Sequence, residues 1–192
     1  MVFRPCFMGI VIMYGLLNSI PGHSESLPFQ LLHQKNGATQ EAFGYAVAGA
    51  GDINGDGYSD FIIGNHRASP NGLFEAGSVY VYSGLGDSLL HKIDGDSAGD
   101  WFGYSVASTG DIDGDGRSDL IVGAPFSSPN GIPRAGSAFI LSGSDGSKLY
   151  RKDGEASLDY FGTSVAGAGD VNNDATADFI IGATNTNPEG LI

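Results

Sequence analysis

A 59-residue repeat, short apolar runs bounded by glycine-rich turns, and no helical period after the first two dozen residues predict an all-β protein built from β-propeller blades of four antiparallel strands. The repeat is strict. FGYAVAGAGDINGDGYSDFIIG from Phe43, FGYSVASTGDIDGDGRSDLIVG from Phe102 and FGTSVAGAGDVNNDATADFIIG from Phe161 begin 59 residues apart. Downstream, SPNGLFEAGSVYVYSG (Ser69–Gly84) matches SPNGIPRAGSAFILSG (Ser128–Gly143). LLHKIDGDSAGDWFG (Leu89–Gly103) then matches KLYRKDGEASLDYFG (Lys148–Gly162), and LLHQKNGATQEAFG (Leu31–Gly44) fits the same pattern. About two and a half blades are present. A β-sandwich with chance internal similarity is the alternative, and repetition this regular argues against it.

Taken in order, residues 1–24 read as an export signal. Arg4 gives a short positive region, Cys6–Leu17 an apolar run, and Gly22 and Ser24 suit cleavage. An uncleaved N-terminal anchor is the alternative. Residues 25–42 read as the last strand of a preceding or closing blade. Residues 43–101 and 102–160 are full repeats, and 161–192 a truncated third. Within the second repeat, Gly103–Gly110 is the first strand. The second, Asp119–Pro125, is an apolar run rich in branched residues, which suits a strand buried on both faces. SSPNG (Ser127–Gly131) is turn chemistry, because proline fixes φ while Asn and Gly accept positive φ. Gly136–Gly143 is the third strand and Lys148–Lys152 the fourth.

The formal charge is −13, which argues against nucleic-acid binding, where a basic face is required. Cys6 is the only cysteine and falls inside the expected signal, so the remaining chain has no disulfide. Stability must then come from packing or from metal.

Ten of the 22 acidic residues are aspartates crowded into three loops between the first and second strands. The pattern is D-x-[DN]-x-D-G-x-x-D. The first loop offers Asp52, Asn54, Asp56, Asp60 and the carbonyl of Tyr58. The second offers Asp111, Asp113, Asp115, Asp119 and the carbonyl of Arg117. The third offers Asp170, Asn172, Asp174, Asp178 and the carbonyl of Thr176. Hard oxygen ligands in this number suit Ca²⁺ better than Mg²⁺, which keeps its waters, or Zn²⁺, which takes Cys and His. A helical EF-hand is excluded because its twelfth position needs glutamate, and Ile63, Val122 and Ile181 stand there. Ala175 replaces the sixth-position glycine of the third loop, so that site is expected to be the weakest.

The Phe-Gly pairs at 43–44, 102–103 and 161–162, the aspartate loop, and Gly123-Ala124-Pro125 resemble the FG-GAP repeat of integrin alpha chains and of many bacterial exported proteins. The resemblance implies a seven-bladed propeller, Ca²⁺ in the loops, and extracellular ligand binding or adhesion. Gly64-Asn65-His66 and Gly182-Ala183-Thr184 depart from the GAP triplet. The repeat count falls short of a closed ring, so the expectation is a fragment of a longer propeller, its further blades missing from this chain or supplied by other copies.

The functional expectation is a non-enzymatic, secreted or cell-surface module whose partner is an extracellular protein or glycan. The propeller scaffold of an extracellular hydrolase or lyase, and a ligand-free spacer, are the alternatives. No nucleophile-elbow or zinc motif favours an enzyme. His33, His66 and His91 read as surface residues at unmatched repeat positions. Trp101 reads as a blade-interface or rim residue, and Phe43, Phe102 and Phe161 as packing between blades.

Overall fold

A computed structural model describes residues 8–16, 29–39 and 42–185. Two complete four-stranded antiparallel sheets form its centre. Blade 1 is β3 (Ala46–Gly51), β4 (Asp60–Asn65), β5 (Ser78–Tyr82) and β6 (Leu89–Asp94), paired in chain order. Blade 2 repeats it with β7 (Ser105–Gly110), β8 (Asp119–Ala124), β9 (Ser137–Leu141) and β10 (Lys148–Asp153). β11 (Ser164–Gly169) and β12 (Asp178–Gly182) pair as the first half of a third blade. Near the N-terminus, β1 (Met8–Leu16) pairs antiparallel with β2 (Phe29–Thr39). The architecture is that of a partial β-propeller.

The expected strands therefore form, trimmed by a residue or two. Gly103 and Gly136 sit at φ 86° and 82°, outside extended geometry, so β7 and β9 start just after them. β4 and β8 are buried at every position, as an apolar run between two sheet neighbours requires. The Ser-Pro-Asn-Gly turns fold as single 3₁₀ turns with Asn71 and Asn130 at φ 53° and 52°. The expected signal overlaps β1, while residues 1–7 and 17–28 of that region lie outside the described residues, as do 186–192 of the third repeat. Among the described residues no helix is long and apolar enough to cross a membrane.

The main core lies between the blades. Ile62, Val79 and Val81 of blade 1 meet Leu120, Val122, Phe139 and Leu141 of blade 2, with Phe102 inserted at 1% exposure. Phe102 meets Phe139 edge to face at 5.4 Å. Phe43, Phe61 and Ile63 pack on the opposite face of blade 1. Phe43 and Phe102 are thus buried packing residues, and Phe161 is partly buried in the same role.

The glycines of the repeat have a packing cause. The Gly103 carbonyl lies against Gly64, and the Gly162 carbonyl against Gly123, so consecutive blades touch backbone to backbone. A methyl group on Gly123 would land on the Gly162 carbonyl oxygen and on Ser105 Oγ. Gly123→Ala is expected to cost about 3 kcal/mol by forcing two blades apart, read as a lowered urea midpoint with an unchanged slope.

Candidate metal centre

The three aspartate loops fold alike, and local hydrogen bonds explain why. In the first, Asp52 Oδ1 accepts from the amides of Gly55 (2.7 Å) and Asp56 (3.1 Å), and Oδ2 from Gly57 (2.9 Å). Asn54 Oδ1 accepts from Asp56 N–H at 2.9 Å, and Asp56 Oδ1 from Tyr58 N–H at 2.9 Å. Asp111, Asp113 and Asp115 repeat this on Gly114, Asp115, Gly116 and Arg117. Asp170, Asn172 and Asp174 do so on Asp174, Ala175 and Thr176. Each side chain turns inward to collect amides, and the chain curls round a concentration of oxygen atoms. The Tyr58 amide holds the Asp56 carboxyl below the usual carboxylate range, and the Thr176 amide does the same for Asp174.

The sixth position needs a left-handed residue, as the sequence implied. Gly57 and Gly116 sit at φ 87° and 85°, and Ala175 is forced to 67°. Asn173 also stands at φ 60° where the other loops have Gly55 and Gly114.

The structure gathers some of the expected ligands and sets others apart. Asp111, Asp113 and Asp115 bring carboxylate oxygens within 4.8 Å of one another. In the first and third loops an amide takes the middle place, and Asn54 and Asn172 each donate to the fifth-position aspartate at 2.9 Å. The second loop therefore holds the greatest concentration of unopposed charge. Its own cation, Arg117, is directed away, donating Nη1 to the Ile53 carbonyl of the neighbouring loop at 2.7 Å.

The ninth-position aspartates do something else. Asp60 and Asp119 are 2% and 0% exposed. Asp119 Oδ2 accepts from the amides of Ile112 (2.8 Å) and Asp113 (3.3 Å), and Oδ1 from Gly143 (3.0 Å). Asp60 binds Ile53 N–H at 2.9 Å and Gly84 N–H at 3.0 Å. Each fastens its loop to the turn between the third and fourth strands. Burial pushes the Asp119 carboxyl upward against the lowering effect of those amides. Asp178 holds only the Val171 amide among the described residues, at 2.9 Å. Ser83 Oγ donates to Asp56 Oδ2 at 3.3 Å. This contributor from the Ser-Gly turn was missed in the sequence, although Ser83-Gly84 and Ser142-Gly143 recur with the period.

The histidine expectation fails. His33 and His91 occupy matching places on β2 and β6, their Nε2 atoms 3.1 and 2.8 Å from the carbonyls of Gly84 and Gly143. His66 is buried at 4% exposure, at the opposite end of the blades from the aspartate loops. There its ring lies 4.4 Å from Tyr45, 4.9 Å from Trp101 and 5.3 Å from Tyr104. Trp101 continues to Phe126 at 4.0 Å, which bears out its place at the blade interface. Burial, then the neighbouring Arg67, lowers the His66 pKa to about 4. An unfolded imidazole titrates near 6.5, so the unfolded chain gains the proton first. Stability from this group is complete above pH 6.5 and declines as pH falls toward 4. His66→Phe is expected to remove about 1–2 kcal/mol of the loss between pH 7 and pH 5, measured by urea unfolding at both values.

The FG-GAP repeat family model matches residues 43–82 and 102–141. Integrin alpha-V of Gallus gallus is 34% identical over 146 residues, covering 73% of this chain and 14% of that protein. Integrin alpha-PS2 of Drosophila melanogaster is 35% identical over 157 residues, covering 77% of this chain and 11% of its own length. Integrin alpha-5 of Xenopus laevis is 29% identical over 170 residues, covering 81% and 16%. The chain thus spans a small fraction of these relatives.

Proposed function

This chain is an FG-GAP repeat protein, and from that premise we propose that it is a non-enzymatic, calcium-stabilised propeller module that binds partners outside the cell, secreted or held at the surface. The observation that carries the calcium reading is the gathering of Asp111, Asp113 and Asp115 oxygens within 4.8 Å at the centre of a loop built three times over. Ca²⁺ accepts six to eight oxygens. The side chains at the first, third and fifth positions, with the seventh-position carbonyls of Tyr58, Arg117 and Thr176, would hold it. The ninth aspartates, Asp60, Asp119 and Asp178, anchor the loop and retain lone pairs for the ion. The calcium would be structural, cross-linking a loop whose charges otherwise repel.

Adhesion-type binding is supported by the integrin alpha relatives and by the arrangement of the blade ends. The end away from the aspartate loops carries aromatic side chains, with Tyr45 and Phe74 at 56% and 68% exposure, as a partner surface requires. The ligand would be an extracellular protein or glycan.

Calorimetric calcium titration tests the metal reading. Three sites are expected, with the Ala175 loop the weakest. Asp113→Asn converts the second loop to the composition of the other two. It should raise the melting temperature in EGTA, because a like charge is removed, and weaken calcium at that loop on the order of tenfold. If wild type and variant take up no calcium at millimolar concentration, the metal reading fails.

A further inference from the structure

We propose that Tyr45 and Tyr104 form a modification site, where hydrogen peroxide acting through a haem peroxidase couples the two phenols into a dityrosine that staples blade 1 to blade 2. The two residues hold the same place in the repeat, directly after Phe43-Gly44 and Phe102-Gly103, 59 residues apart. Stacking of the blades brings them together. Tyr45 Oη donates a hydrogen bond to Tyr104 Oη at 3.0 Å. Their ring centroids are 5.0 Å apart, with the planes inclined at 44°. Oxidised phenols join through the carbons ortho to the hydroxyl. Each ortho carbon lies one bond from the hydroxyl-bearing carbon, so hydroxyls in contact set the two coupling positions within a small ring rotation of each other.

The backbone holds both rings in place. Tyr45 N–H donates to the Ala42 carbonyl at 3.0 Å, and Tyr104 N–H to the Trp101 carbonyl at 3.1 Å, closing the same tight turn in each repeat. Gly44 and Gly103 supply the positive φ at its third position, 82° and 86°. The Gly103 carbonyl lies against Gly64, so the turn that carries Tyr104 is seated on blade 1 itself. His66 packs on both rings, 4.4 Å from Tyr45 and 5.3 Å from Tyr104. Two phenols fixed in contact react with each other before either meets a phenol of another molecule. All of these contacts belong to blades 1 and 2, the two complete sheets.

Each tyrosine loses one electron and one proton; its O–H bond breaks and a phenoxyl radical results. One C–C bond then forms between the two ortho carbons. The hydrogens those carbons carried move to the two oxygens through water, restoring both hydroxyls. The two electrons and two protons released reduce one hydrogen peroxide to two waters. The pair lies at the surface. Trp101, stacked near Tyr104 with centroids 6.0 Å apart and planes at 19°, offers a second entry for the oxidant. The hydrogen bond from Tyr45, then burial, raises the Tyr104 hydroxyl above the ordinary phenol range, so it enters the reaction protonated at neutral pH. Blades 1 and 2 contain no cysteine, so no disulfide joins them. The third repeat has Thr163 at the tyrosine position, which confines the staple to this one joint. A covalent bridge closing 59 residues of chain constrains the unfolded state as a disulfide does.

The full-length protein is treated with hydrogen peroxide and a catalytic amount of a haem peroxidase. The product should run as a single chain on a denaturing gel, show the blue fluorescence of dityrosine, and weigh two hydrogen atoms less. Its digest should contain one species that joins the peptides of Tyr45 and Tyr104. No dityrosine, dityrosine joining other tyrosines, or oxidation that stops at Trp101 overturns the proposal. Tyr45→Phe and Tyr104→Phe keep the rings and each remove one hydroxyl. Each should lower the fluorescence yield by about tenfold or more with the circular dichroism of the fold unchanged. Tyr150→Phe, which alters an exposed tyrosine elsewhere, should not lower it. A Tyr45 or Tyr104 variant that keeps the wild-type yield overturns the pairing. Cross-linked protein should melt about 5–10 °C above untreated protein at the same calcium concentration, and an unchanged midpoint overturns the role as a staple. None of these results bears on calcium, which the titration above decides separately.

Discussion

Chelation with EGTA is expected to lower the melting temperature by about 10–25 °C. Extracellular calcium sites commonly have Kd near 10⁻⁴–10⁻³ M. At ten- to hundredfold excess of free ion, each occupied site adds about 1.4–2.7 kcal/mol to the folded state, so three sites add roughly 4–8 kcal/mol. For a domain of this size, each kcal/mol moves the midpoint by about 2–4 °C. The loops join the first two strands of each repeat, where Gly51 and Asp60, Gly110 and Asp119, and Gly169 and Asp178 are paired. Loosening them releases the end of every second strand. Scanning calorimetry with calcium, with EGTA, and with calcium restored measures the effect. A midpoint indifferent to chelator would show that the loops hold their shape without an ion.

The central strands and the loop geometry were legible because their causes are local. Asp-Leu-Ile-Val-Gly-Ala becomes β8 because branched apolar residues are bounded by a buried aspartate and by a glycine that lets the next blade approach. The left-handed sixth position was legible from glycine in two loops and appears at Ala175 in the third. What stayed hidden depends on distant partners. The role of Asp119 follows from the Gly143 amide, 24 residues on, which no loop pattern contains. His66 looks like a surface residue after a strand until the rings of Trp101 and Tyr104 from the next blade close over it. His33 and His91 stand 58 residues apart in a 59-residue repeat, so a strict period hides their equivalence. The apolar run at Met8–Leu16 carries the composition of an export signal, yet it pairs as a strand with β2.

Asp119→Ala is expected to destabilise the protein by about 3–5 kcal/mol even in EGTA. The side chain is fully buried and its two oxygens satisfy three backbone amides, from Ile112, Asp113 and Gly143. Alanine removes every acceptor, and buried amides left without partners carry the full desolvation cost. It also cuts the tie between the aspartate loop and the turn joining β9 to β10. Asp178→Ala should cost far less, since Asp178 is only partly buried and holds the single Val171 amide among the described residues. Urea unfolding in EGTA separates this effect from metal binding. The comparison that decides is with Asp113→Ala, whose carboxylate lies in the charged cluster and whose loss should be tolerated without calcium. Equal costs for the two variants in EGTA would mean that the three amides gathered by Asp119 add no stability beyond what a cluster aspartate supplies.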